Sequence, residues 1–350
     1  MNLYLHIGTE KTGTTSVQKF MHVNRDPLQL QGVLYPLAPG VENHVALAAL
    51  AKEVRGELWD KLGIADKEGC QRFRDALREK LEWELSTKSY RTVVMSGEHC
   101  SSRLRADEEV KRLHDFLRPF FENIYIIVYL RRQDDFLMST YSTDVKNGSS
   151  HALQPPDEET LRFRYDYWKL TSRWSRIFGR QQVICRRYGR NFLVAGDIVD
   201  DFLFAVGLEQ SPEFERPKSL NESLDAECLE FLRLLNGHLH PAGRGPNVVA
   251  ALQAISHGPL VDLPPEMLEN FMGAVRRSNR LVAAEYFDGQ IAETGDPLFG
   301  PRTNLRRVHG PSLSPERAVE IAAILLMNVR GQRGRQAGST QTPKVEKNRR

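Results

Sequence analysis

Cysteine is scarce and scattered: there are four in 350 residues, Cys70, Cys100, Cys185 and Cys228, with no CxxC pair among them. That spacing argues against a zinc ribbon or a disulfide framework and fits a reducing compartment. Long apolar runs are missing as well. No stretch of about 18 or more apolar residues occurs, and no charged segment with an apolar one behind it precedes the first strand-like run. A cytoplasmic chain with no membrane span is therefore expected. Charge of one sign is not in large excess either, with 48 Lys and Arg against 45 Asp and Glu, a net of +3. The surplus sits at the end, where residues 330–350 carry seven basic side chains and one acidic, leaving −3 for the rest. A body of that charge is not a broadly basic nucleic-acid binder, and no nucleic-acid partner is expected. No internal repeat is visible.

What is present is an ordinary globular composition, 41% hydrophobic and 27% charged, enough to bury a sizeable core. Apolar runs at residues 3–7 (LYLHI), 33–35, 92–96 (TVVMS), 124–130 (IYIIVYL) and 182–186 (QVICR) read as strands. They alternate with helical patterns, including a long one over 42–89, which predicts an α/β fold around a parallel sheet buried on both faces. Beyond Gly207 the pattern is helical, near 224–235, 267–287 and 314–329, with Pro- and Gly-rich connections. These segments read as additional C-terminal helices on one domain spanning 1–330. From Gly331 the composition is that of a disordered basic tail, 331–350.

The run HIGTEKTGTTS stands where the first strand hands over to the first helix. Gly8 and Gly13 have the GxxxxG spacing of a loop that cradles phosphate, and Thr14, Thr15 and Ser16 open the helix, whose unpaired amides and dipole favour an anion. A nucleoside-triphosphate loop would carry lysine directly after the second glycine, but position 14 is Thr and the lysine, Lys11, lies inside the loop. The later strand IIVYL runs into Arg131 and Arg132 rather than a magnesium-holding carboxylate, so no metal site is expected.

With Lys11-Thr12-Gly13-Thr14-Thr15-Ser16 in this position, the sequence resembles the sulfotransferases that use 3′-phosphoadenosine 5′-phosphosulfate (PAPS), whose 5′-phosphosulfate loop has the form KTGTTS. The second signature of that family is a strand-end Arg with a Ser eight residues on, gripping the 3′-phosphate. Arg131 and Ser139 stand at that separation, and a one-residue shift would put Arg132 in the role. The resemblance is to bacterial, carbohydrate sulfotransferase-like members and covers about residues 1–290. It implies a P-loop-type three-layer fold, PAPS as co-substrate with adenosine 3′,5′-bisphosphate as product, and Lys11 at the bridging oxygen where leaving-group charge develops. The acceptor it implies is a hydroxyl, expected on a carbohydrate. The RKGxxG loop of the small-molecule branch is absent, and the aromatic that stacks on adenine is unassigned.

The acceptor hydroxyl needs a base. Glu98 follows the strand before the Arg-bearing one, His44 follows the first helix, and His99 is adjacent to Glu98; the sequence leaves the three open. Two other readings compete: a P-loop nucleotide kinase, disfavoured by Thr14 and the missing metal carboxylate, and a non-catalytic nucleotide-binding protein on the same fold.

Overall fold

The structure is a computed structural model, described for residues 1–53, 55–217, 223–239, 248–302, 306–310 and 313–338. The chain divides into two compact units, one made of residues 1–136, 156–220 and 269–302, the other of 137–155, 221–268 and 303–350.

The first unit is built on a five-stranded parallel sheet: β1 (Asn2–His6), β2 (Val33–Leu34), β3 (Thr92–Ser96), β4 (Asn123–Arg131) and β5 (Val183–Tyr188), in the order β2-β3-β1-β4-β5. All neighbours pair in parallel, with Leu5 opposite both Met95 and Ile126. Side chains alternate across a strand. Leu3, Leu5, Val93, Met95, Ile126 and Val128 therefore enter one core, while Val94, Ile127 and Tyr129 enter the other. Runs without polar interruption are what two buried faces require. Helices α1 (Thr14–Val23) and α2 (Arg25–Leu30) follow β1, and α1 supplies Val17, Phe20 and Met21 to the second core.

The expected long helical stretch at 42–89 breaks into α3 (Val45–Ala51), α4 (Glu57–Lys61) and α5 (Lys67–Ser86). Gly56 and Gly63 flank α4, and Asp66 caps α5 by accepting from the Gly69 amide at 2.6 Å. Then come α6 (His99–Arg103), α7 (Asp107–Leu117), α8 (Gln133–Lys146), α9 (Glu158–Thr160), a π-helical turn at Leu161–Tyr165, α10 (Tyr167–Phe178) and α11 (Ile198–Val206). Tyr165, Tyr167 and Trp174 are buried, so that aromatic stretch is core.

In the second unit are α12 (Ala226–His238), α13 (Val248–Ala254), and a two-stranded parallel sheet of β6 (Leu260–Asp262) with β7 (Arg307–His309). In sequence α14 (Pro265–Tyr286) lies between these strands, with its residues from Glu269 onward counted in the first unit, and α15 (Pro315–Gly338) closes the described chain. The additional C-terminal helices are present, accompanied by this short sheet. The last helix also continues eight residues past position 330, through residues expected in the tail, and the remainder of that expected tail, 339–350, lies outside the described residues. No helix among the described residues is long and apolar enough to cross a membrane.

Candidate functional site

In an open parallel sheet, ligands bind beyond the carboxyl ends of the strands, where the strand order reverses. Here β1 is central, with β3 on one side and β4 on the other, and the loop that leaves it, residues 7–13, lies at that edge. The loop is stitched to β4. Thr9 donates its amide and its hydroxyl to the Tyr129 carbonyl, both at 3.0 Å, and the Tyr129 amide donates to the Gly8 carbonyl at 2.6 Å. Thr12 Oγ1 donates to the Thr9 carbonyl at 2.6 Å, closing the turn. Lys11 and Gly13 both take positive φ, 63° and 76°. At Gly13 a Cβ would meet Ile198 Cγ2 at 3.0 Å, so glycine is required twice over.

Helix α1 begins at Thr14 with no side-chain cap and no acidic residue in its first turn. The Gly13 carbonyl takes the amides of Ser16 and Val17, at 2.9 and 3.2 Å, which leaves those of Thr14 and Thr15 outside that pairing. Thr12 and Thr14 are buried, and Thr15 is exposed. This donor set, with Lys11 beside it, suits an anionic group.

The two strand-end arginines behave differently. Arg131 Nη1 donates to the Lys11 carbonyl at 2.8 Å, and its guanidinium lies 5.6 Å from the Tyr188 ring centre. Arg132 turns away, donating to both Asp134 carboxylate oxygens and, at 2.7 Å, to the Gly300 carbonyl. Arg131 is therefore the one at the loop. Ser139 lies on α8 in the second unit, where its carbonyl accepts from Thr143 Oγ1 at 3.0 Å.

Glu98 stands against the loop from the β3 side. A Cβ at Gly8 would sit 3.1 Å from its Cβ. Its half-buried carboxylate caps no helix and pairs with neither Arg103 nor Arg105; it accepts from Gln18 Nε2 at 3.0 Å and Asn43 Nδ2 at 3.3 Å. Gln18 Nε2 also reaches Ser96 Oγ at 3.3 Å, which lies 2.9 Å from His6 Nδ1. Burial pulls the His6 pKa down to about 3.

His44 does not line a cleft, as a base would have to. It is fully buried, stacked on Tyr35 with ring centres 4.4 Å apart, and its Nδ1 accepts the Ser96 amide at 3.1 Å. A backbone N–H can only donate, so Nδ1 carries no proton and the single basic nitrogen of the neutral ring is already used. Burial holds its pKa at about 3, against a smaller upward pull from the Pro36 backbone. His44 orders the end of β3 instead. His99 is half-buried, and burial lowers its pKa while the Glu98 charge opposes.

Several participants escape sequence reading. Glu10, next to Lys11, pairs with Arg164 and, at 3.6 Å, with Arg103. Gln18 and His6 left one trace, as polar residues inside apolar patterns; Asn43, Arg103 and Arg164 left none. Among the described residues no group of three or more His, Cys, Asp or Glu could hold a metal ion.

No family model matches the sequence. Over 118 residues it is 31% identical to an uncharacterised protein of Archaeoglobus fulgidus, a match covering 33% of this chain and 31% of that protein, so the chain spans about a third of that relative's length. Among solved structures, it is similar to a sulfotransferase from Alicyclobacillus acidocaldarius, with 16% identity and a TM-score of 0.44 over 81% of this chain and 95% of that one.

Proposed function

We propose that this chain is a PAPS-dependent sulfotransferase acting on a hydroxyl acceptor, with a carbohydrate as the acceptor class. The observation that carries the reading is the KTGTTS run, Lys11 to Ser16, joining the central strand to α1 with strand-end Arg131 bonded to the Lys11 carbonyl. When bound, PAPS supplies the sulfuryl group and leaves as adenosine 3′,5′-bisphosphate. The P-loop-type turn would hold the 5′-phosphosulfate through the backbone and hydroxyls of Thr12, Gly13, Thr14, Thr15 and Ser16. Arg131 is assigned to the 3′-phosphate. Glu98 takes the acceptor proton as the acceptor oxygen bonds to sulfur, and Lys11 stabilises the oxygen whose bond to sulfur breaks.

Calorimetric titration tests this directly. Adenosine 3′,5′-bisphosphate should bind equally well with and without a magnesium chelator. Arg131→Ala should weaken it more than adenosine 5′-phosphate, by about 1.5–3 kcal/mol, the worth of one charge-assisted contact. Lys11→Ala should keep product binding and lose turnover with labelled PAPS by about 10²-fold or more. Binding of ATP only, and only with magnesium, would overturn the assignment.

A further inference from the structure

At the β2 edge of the first unit, away from the strand-end loop, an open groove of about 570 Å³ runs between α2, the segment after β2 and the C-terminal half of α5. That volume falls within the range of about 300–1,000 Å³ typical of ligand clefts. Trp83 lines it and is 69% exposed. Set in the wall of a concave groove, the indole offers an apolar face with a polar N–H rim to an occupant. Beside it stand three cations, Arg25, Lys80 and Lys88. Arg25 donates to the Tyr35 carbonyl at 2.9 Å and Lys88 to Gln29 Oε1 at 3.0 Å, so both are positioned by neutral partners that leave their charge unbalanced. The one carboxylate among the lining residues, Glu84, is held at the wall by the amides of Leu37 and Ala38, at 2.8 and 2.6 Å, so the groove carries three cations to one anion.

We propose that this groove binds an acidic oligosaccharide, with a sugar ring stacked on Trp83 and its carboxylate or sulfate groups held by Arg25, Lys80 and Lys88. A pyranose offers a face of C–H groups to the negative face of an indole and hydroxyls to its rim, and sparse anionic substituents match three separated cations. Two densely charged alternatives fit less well. Glu79 and Glu82 flank the site on α5, and they oppose a nucleic-acid backbone or an anionic bilayer laid across it. The concave shape also suits an inserted chain better than a flat membrane.

The binding claim stands apart from the sulfuryl-transfer reading; only the step from bound sugar to acceptor rests on that reading. The segment that lines the groove at Leu37 and Ala38 continues to Asn43, which holds Glu98. A hexasaccharide alternating glucuronate with N-acetylglucosamine is the probe, with cellohexaose, phosphatidylglycerol vesicles and a single-stranded oligonucleotide as comparisons, followed by calorimetry and tryptophan fluorescence on the full chain. The acidic hexasaccharide should bind in a salt-sensitive manner and perturb the Trp83 emission. Trp83→Ala should weaken it about three- to tenfold, with Trp83→Phe recovering part of the loss. The Lys80→Glu/Lys88→Glu double variant should weaken it about tenfold or more. Affinity for adenosine 3′,5′-bisphosphate should be unchanged in all of them, which separates this site from the strand-end loop. Equal affinity for cellohexaose, tighter binding of vesicles or oligonucleotide, or no effect of either set of variants would overturn the proposal.

Discussion

Gly8 has no room for a side chain. Its φ is +98°, and a Cβ there would lie 3.1 Å from the Glu98 Cβ and 3.2 Å from its Cα, a backbone atom that cannot swing away. Gly8→Ala therefore combines backbone strain with a collision that pushes β1 and β3 apart. It should cost about 1–3 kcal/mol in urea unfolding, and an unchanged midpoint would mean that the strand ends yield freely. The same contact fixes where Glu98 can act. On the proposed chemistry, Glu98→Gln keeps the size and one acceptor for Gln18 or Asn43 but removes basicity, so turnover should fall by about 10²–10⁴-fold with little change in bisphosphate affinity. Glu98→Gln with turnover near normal would transfer the proton to another group, His99 being adjacent. His44→Gln should act differently, lowering stability through the lost Ser96 contact more than it lowers turnover at a permissive temperature.

The π-helical turn at Leu161–Tyr165 shows how a short element aims a side chain. Wider turns of this kind shift the register of the residues that follow, and here the turn carries Arg164 to Glu10, 154 positions earlier. Burial raises the Glu10 pKa, but the Arg164 charge, a Ser102 hydrogen bond and the Arg103 charge outweigh it, and the net shift is downward. On the proposed chemistry, Glu10 held in this way steadies the main chain entering Lys11, which would make Arg164 a positioning residue. Arg164→Ala should raise the Glu10 pKa, read by NMR titration of its carboxyl carbon, and lower turnover, with Arg164→Lys restoring part of both. An unchanged Glu10 titration would mean that the Arg164 charge does not hold this carboxylate. None of this could be read from the chain. The five strands could, because β-branched runs buried on both faces leave a continuous apolar signature, and the strand–loop–helix passage from His6 to Val17 could be read from its two glycines. The choice between Arg131 and Arg132 could not, since it turns on the Gly300 carbonyl, 168 residues away in sequence. His44 stands among the candidate bases in the sequence because the amide that occupies its nitrogen belongs to Ser96, on β3.

For the molecule as a whole, the two buried imidazoles set a pH dependence. His6 and His44 stay neutral in the folded protein until about pH 3, whereas in the unfolded chain each takes up a proton near the ordinary value of 6.5. Above 6.5 neither affects stability. Between 6.5 and 3 the unfolded state binds more protons, so stability falls as pH falls, by up to about 1.4 kcal/mol per pH unit for each histidine. Urea unfolding over the upper part of that window, above the carboxylate range, should show this slope, and His44→Gln should reduce it; a flat profile would mean that the imidazoles are charged in the folded state. The ladder that continues from β1 past its end also bears on how the protein opens. Because the Thr9 and Tyr129 amides bond across the loop as strand residues do, their deuterium uptake should be as slow as that of Leu5 and Ile127, and it should slow with them when the protein is stabilised. Glycine loops that bind anions are often taken to order around their ligand. This one would greet it already ordered, so nucleotide binding should leave the exchange rates of residues 7–9 almost unchanged relative to the core.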